Sequence, residues 1–208
     1  MIVSLVLGNG ESRRNIPWSN LQYDITIGCN AIHRDHVVDH LICCDRRMAE
    51  EAVNNNLTNN TLIYVRERNY HYFRKIRKNK NIKPLPELPY HGDLKADKPD
   101  HWGSGAYALL LAAVLSDQIF LIGFDLYGIN DKVNNVYKNT VNYSKHTSNS
   151  VDYSYWVYQI AKIFRYYPNK QFTILNDKTW ILPNEWRINN VLLKNFDDIF
   201  IDNKYLYS

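Results

Sequence analysis

The sequence is short of cysteine, of long apolar runs and of any strong charge excess, and each shortage removes a class of protein. Three cysteines in 208 residues, two of them adjacent at Cys43 and Cys44, cannot form a disulfide framework and have no metal-ligand spacing with Cys29. A reducing, cytoplasmic compartment is the expectation. No stretch approaches the length of a membrane span. The opening Ile2-Val3-Ser4-Leu5-Val6-Leu7 lacks a basic flank and runs into a glycine turn, so it reads as a strand and not a signal peptide. Asp-x-Asp does not occur, so a metal-bridged sugar diphosphate lacks its usual sign, and neither metal nor cofactor is expected. Gly8-Asn9-Gly10 is followed by no third glycine at the dinucleotide spacing and by no Walker lysine.

What is present suits one folded domain spanning residues 1–208 with a substantial core. Apolar residues at 45% and charged ones at 22% lie near globular averages, which excludes disordered and coiled-coil readings. The net charge of +4 is mild, and its positive residues collect in Arg66 to Lys83, around Arg74-Lys75-Ile76-Arg77-Lys78-Asn79-Lys80. Such a run is either a solvated face or a patch for phosphates. Sixteen tyrosines and five tryptophans supply rings with a polar handle, suited to core edges or to a wet cleft.

Strand and helix signals alternate. Ile2 to Leu7 leads through the glycine turn into a helix start at Glu11; Asp24 to Cys29 and His40 to Cys44 are strands, the latter before a helical run Arg46 to Val53. After a fourth strand, Thr61 to Val65, the prolines of Lys83 to Pro89 predict an irregular insertion over about 66–100. Gly103-Ser104-Gly105 opens a small-residue helix, Ala106 to Leu115, before the continuous apolar strand Gln118 to Ile122. Such a strand belongs in a parallel sheet covered on both faces. An Asn-rich, lid-like loop over about 128–150 precedes an aromatic helix, Asp152 to Tyr166, and a strand, Gln171 to Leu175; the C-terminal segment is weakly patterned. The fold expected is α/β, a single Rossmann-like domain with a mainly parallel sheet flanked by helices, binding its ligand beyond the carboxyl ends of the strands where the topology switches.

The polar residues fall where that rule requires. Gly8-Asn9-Gly10 allows close approach of a ligand, and the Asn9 amide both donates and accepts. Gly103-Ser104-Gly105 exposes backbone N–H groups at a helix start, which favours an anion; the alternative is close packing of the helix on the sheet. His36 and His40 have the i,i+4 spacing of a zinc pair, but a strand begins near His40, no glutamate lies between them, and solvated loop histidines explain the cluster at less cost.

Taken together, Gly8-Asn9-Gly10-Glu11-Ser12, Gly28-Cys29-Asn30, Gly103-Ser104-Gly105 and Leu121-Ile122-Gly123-Phe124-Asp125-Leu126-Tyr127 resemble the bacterial sialyltransferases that use CMP-activated sialic acid, a variant of the GT-A architecture. More distantly they resemble a Rossmann-like group that includes archaeal pterin pyrophosphokinases. Tyr143-Ser144-Lys145-His146 looks like the tyrosine-x-x-histidine pair of the sialyltransferases, so the resemblance implies His146 as general base. It further implies Tyr127 and Tyr137 on the departing phosphate, Asn9 and Asn30 on phosphate or sugar, and Ser104 and Gly105 on ribose and phosphate. Gly8, Gly10, Asp125 and Tyr143 belong to the same motifs. Asp45 stands where the family has a base-reading asparagine, and because a carboxylate accepts but does not donate, it points to a different base. His101 replaces an arginine at the phosphate end.

The function implied is metal-independent, inverting transfer of a sugar from a nucleotide donor, CMP-linked by preference, to an acceptor hydroxyl. A pyrophosphokinase-like enzyme and a nucleotide- or nucleic-acid-binding module using Arg66 to Lys83 are the alternatives, as is a sugar transferase with a nucleic-acid acceptor. A homo-oligomer is compatible with the sequence.

Overall fold

The computed structural model describes residues 1–16, 20–55, 57, 60–76, 78 and 80–196. Eight strands form one sheet: β1 (Val3–Leu7), β2 (Ile25–Cys29), β3 (His40–Cys43), β4 (Leu62–Val65), β5 (Ile82–Pro84), β6 (Gln118–Ile122), β7 (Gln171–Asn176) and β8 (Val191–Asn195). Their order is 5-4-3-2-1-6-7-8, and every pairing is parallel. The chain steps outward from β1 to β5, returns to place β6 beside β1, and steps outward the other way to β8. Adjacent strands β1 and β6 therefore send the chain in opposite directions from their carboxyl ends, the arrangement that opens a crevice.

Alternation along each strand divides the core into two layers. Leu5, Leu7, Leu41 and Ile63 face one side, where Met48, Ala49 and Ala52 of helix α1 (Arg46–Asn54) cover them. Val6, Ile27, Ile42 and Leu121 face the other, beneath helices α2 (Ser104–Leu115) and α3 (Ser154–Tyr166). Reversing the direction of strand addition while keeping right-handed crossovers requires this change of face. Helix α2 is apolar all round because strands cover one side and α3 the other.

The structure departs from the sequence-based expectations in four places. The segment after β1 is a 3-10 turn, Glu11–Asn15, in place of an α-helix. The insertion over 66–100 is not wholly irregular: Glu67–His71 is helical, a π-helical turn follows over Tyr72–Ile76, and Ile82–Pro84 forms β5. Pro84 is tolerated because β5 is an edge strand bonded to β4 alone. The C-terminal segment supplies β8, the opposite edge. Finally, the loop over 128–150 is pinned in place. Bridges join Lys132 to Ile129 and Asn149, and the Val136 N–H donates to the Asn9 carbonyl at 2.9 Å.

Arg66 is drawn into the structure, its guanidinium donating to the carbonyls of Pro99 and Trp102. Arg74, Lys75, Lys78, Lys80 and Lys83 are exposed, whereas Arg77 and Asn79 of the basic run lie outside the described residues. His36 and His40 do not share a helix, since His40 opens β3 with its Nδ1 3.1 Å from the Tyr64 hydroxyl. No helix among the described residues is long and apolar enough to cross a membrane.

Trp186 ties the β8 end to the rest. It is fully buried, meets Phe164 edge-on at 5.5 Å, and donates through Nε1 to the Val157 carbonyl at 2.9 Å. Trp186→Ala should lower the unfolding free energy by about 3–5 kcal/mol, read from the denaturant midpoint. A loss under about 1 kcal/mol would show that the β7–β8 edge does not unfold with the remainder.

Candidate functional site

At the switch point the ends of β1 and β6 nearly touch. A Cβ on Gly8 would lie 2.3 Å from the Gly123 carbonyl oxygen, and Gly123 has φ +72°, a region that suits glycine. The Gly8 and Gly10 N–H groups donate to the carbonyls of Ile122 and Gly123 at 2.8 and 2.9 Å. Gly10 is equally constrained, since a Cβ there would meet the Asp125 carboxyl group at 2.3 Å.

Asp125 is buried and holds the turn after β1. One carboxylate oxygen accepts from the Ser12 N–H at 2.9 Å and the other from the Ser12 hydroxyl. Burial pushes its pKa up, and the bonds from Ser12 oppose that shift. The residue assigned to nucleotide binding thus holds Ser12 through both its backbone and its side chain.

Above this floor lies a cleft of about 290 Å³, lined by Gly8, Asn9, Asn30, Ser104, Leu126 and Trp156 among others. This is the lower end of the ~300–1,000 Å³ usual for small-molecule sites. Asn9 uses both hydrogens of Nδ2 on the protein, donating to the Cys29 carbonyl and the Tyr143 hydroxyl, each at 3.3 Å. Its Oδ1 is buried with no protein partner. Asn30 adopts φ +52°, which asparagine tolerates. A relay joins three segments: the Cys44 N–H donates to Ser104 Oγ at 3.0 Å, and Ser104 Oγ donates to Asn30 Oδ1 at 2.8 Å. Gly103 caps α2 without a side-chain bond, so the N–H groups of Ser104, Gly105 and Ala106 open toward the cleft wall they line. No lysine or arginine is among the described lining residues.

The structure brings together Gly8, Asn9, Gly10, Asn30, Ser104, Gly105 and Asp125, and it places the other sequence-derived candidates elsewhere. Tyr143 stands behind Asn9, half-buried, its hydroxyl accepting from Asn9 and from the Ala31 N–H at 3.4 Å. Tyr137 is buried on the far side of the loop, where its hydroxyl accepts from Arg13 at 2.6 Å and donates to Asp35 at 2.9 Å. Burial raises the pKa of both tyrosines. Tyr127 donates to the Ile181 carbonyl at 2.8 Å, and its neighbour Leu126 lines the cleft instead. Asp45 is exposed as the N-cap of α1, accepting from the Arg47 N–H and guanidinium. His146 faces solvent with Nδ1 3.0 Å from Asn139 Oδ1. His101 is exposed on an adjoining concavity.

Among the lining residues not singled out from the sequence are Asn134 and Asn135, on the loop read as lid-like, and Trp156 and Ile160 of α3. Among the described residues no group of three or more His, Cys, Asp or Glu could hold a metal ion. The three cysteines are buried and free; burial pushes the Cys29 thiol up to about 12, so none is a ready nucleophile.

Fold and cleft define a Rossmann-like α/β protein with a crevice at its switch point. No protein-family model, curated protein or solved structure matches the chain.

Asp125→Asn keeps one acceptor oxygen and turns an NH2 group toward a Ser12 donor. The unfolding free energy should fall by about 1–3 kcal/mol, measured by denaturant titration at neutral pH. An unchanged value would remove Asp125 from its bracing role.

Proposed function

We propose that the chain is a transferase that holds a nucleotide-activated sugar in the switch-point cleft and passes the sugar to an acceptor hydroxyl. The observation that carries this reading is the convergence of Asn9, Asn30 and the opening N–H groups of α2 on one cleft, with Asn9 Oδ1 buried and unpartnered. An unsatisfied buried acceptor calls for a donor, which a ribose or sugar hydroxyl supplies. The helix start supplies donors and a favourable dipole for a phosphate.

The wall's lack of lysine and arginine supports a single phosphate, as in a CMP-linked donor, over a triphosphate. That counts against the pyrophosphokinase-like alternative. In the transfer step the acceptor oxygen bonds to the anomeric carbon as the bond from that carbon to the phosphate oxygen breaks. The phosphate keeps the electron pair, stabilised by the N–H groups of α2, and the acceptor proton passes to an imidazole. His146 is assigned that role from its resemblance to the family base. His146 lies outside the cleft wall, on the loop that Val136 ties to the Asn9 carbonyl. The binding half of the proposal rests on geometry, and the base on resemblance.

A thermal-shift series tests both halves. CMP and CMP-sugars should raise the melting temperature more than ATP with magnesium, with or without a chelator. Asn9→Ala and Ser104→Ala should each abolish most of that shift. His146→Ala should keep it while turnover falls by about two to four orders of magnitude. A dominant response to ATP with magnesium would overturn the donor assignment, and full turnover in His146→Ala would overturn the base.

A further inference from the structure

Beside the nucleotide cleft lies a second concavity of about 500 Å³, lined in part by Asp100, His101, Asp152, Tyr155 and Trp156. Gly103 and Trp156 belong to both walls, so the two spaces meet at the start of α2. The contact is close: a Cβ on Gly103 would lie 3.2 Å from Trp156 Nε1.

The approach to α3 and its first turn present large apolar side chains to water. Val151 is 58% exposed, Tyr153 39%, and Tyr155 and Trp156 37% each, whereas Val157, Ile160 and Phe164 further along are buried. Exposed rings gathered beside a cleft mark a binding surface. Tyr153, just before Tyr155 and Trp156, is held edge-on at 4.9 Å by Tyr127, which donates to the Ile181 carbonyl.

The polar groups around the shelf narrow the ligand. Asp100 and Asp152 bring carboxylates, which accept hydrogen bonds from hydroxyls, and His101 brings an imidazole. No lysine or arginine among the described residues lines this concavity. Asp100 is paired with the Arg66 guanidinium at 3.6 Å, so it is the Asp152 carboxylate that disfavours a phosphate backbone or an acidic glycan, while the electron-rich ring faces suit the C–H face of a pyranose. Resting on the nucleotide-sugar reading above, we infer that this shelf is the acceptor subsite and that the acceptor is a neutral carbohydrate, its apolar face on Tyr155 and Trp156 and its hydroxyls on Asp152 and His101. Trp156 then stands between donor and acceptor.

The test is saturation-transfer NMR on the full chain with methyl glycosides and short neutral oligosaccharides, with CMP followed in parallel by thermal shift. Saccharide ring C–H protons should receive the strongest transfer. Tyr155→Ala should weaken saccharide binding about ten-fold, and Tyr155→Phe, which keeps the ring, should restore it. Both variants should leave the CMP shift unchanged. Absence of saccharide binding while CMP still binds would overturn the proposal, as would saccharide binding that survives Tyr155→Ala. Tyr155-dependent binding of a single-stranded oligonucleotide in place of saccharides would overturn it in favour of base stacking. Saccharide binding without any nucleotide response would instead overturn the donor reading and leave the shelf as a carbohydrate site.

Discussion

The closeness of β1 to β6 at their carboxyl ends governs the molecule. A side chain at position 8 has no room, because the Gly123 carbonyl oxygen occupies the place of its Cβ. Two backbone bonds then fix the turn after β1 on the end of β6, and Asp125 grips that turn through Ser12. From this fixed point the chain leaves in opposite directions toward the two sheet edges, and the crevice between the departing segments is the cleft. The loop after β6 is tied to the same point, since Val136 donates to the Asn9 carbonyl and Asn134 Oδ1 accepts from the Glu11 N–H. One close approach of two glycines therefore positions both floor and roof.

The cleft is built from dipoles, not from charges. Asn9, Asn30, Ser104 and the opening turn of α2 offer donors and acceptors of modest strength, and the Asp125 carboxylate is spent on Ser12. Such a site orients a ligand by direction of hydrogen bonds, with little long-range attraction for anions. The Cys44–Ser104–Asn30 relay matters here because it joins the ends of β2 and β3 to the start of α2, so a ligand on any one of them meets a rigid set.

Tyrosine takes a supporting part more often than a direct one. Tyr143 holds the Asn9 amide from behind, Tyr137 completes a buried triangle with Arg13 and Asp35, and Tyr127 props Tyr153. In each case the hydroxyl is used inside the protein. Tyr155 and Trp156, by contrast, turn to water on the first turn of α3, ahead of the buried Val157, Ile160 and Phe164.

Much of this order was legible in the sequence, because period-two apolar runs, glycine turns and the small-residue helix are local signals. Strands β1 to β4, β6 and β7, helices α1 to α3, the strand-end positions of Asn9, Asn30 and Asp125 and the helix-start position of Ser104 all follow from patterns a few residues long. The edge strands β5 and β8 did not, since an edge has one bonded neighbour and a half-exposed face: β5 is three residues ending in proline, and the short apolar run of β8 leaves Leu192 and Leu193 in water. Nor could any spacing show that His146, Asp45 and Tyr137 point away from the cleft while Trp156 lines it. Which way a loop side chain faces is set by contacts between segments more than a hundred residues apart, such as Asn9 with Tyr143, and those contacts exist only once the sheet has brought its strand ends together.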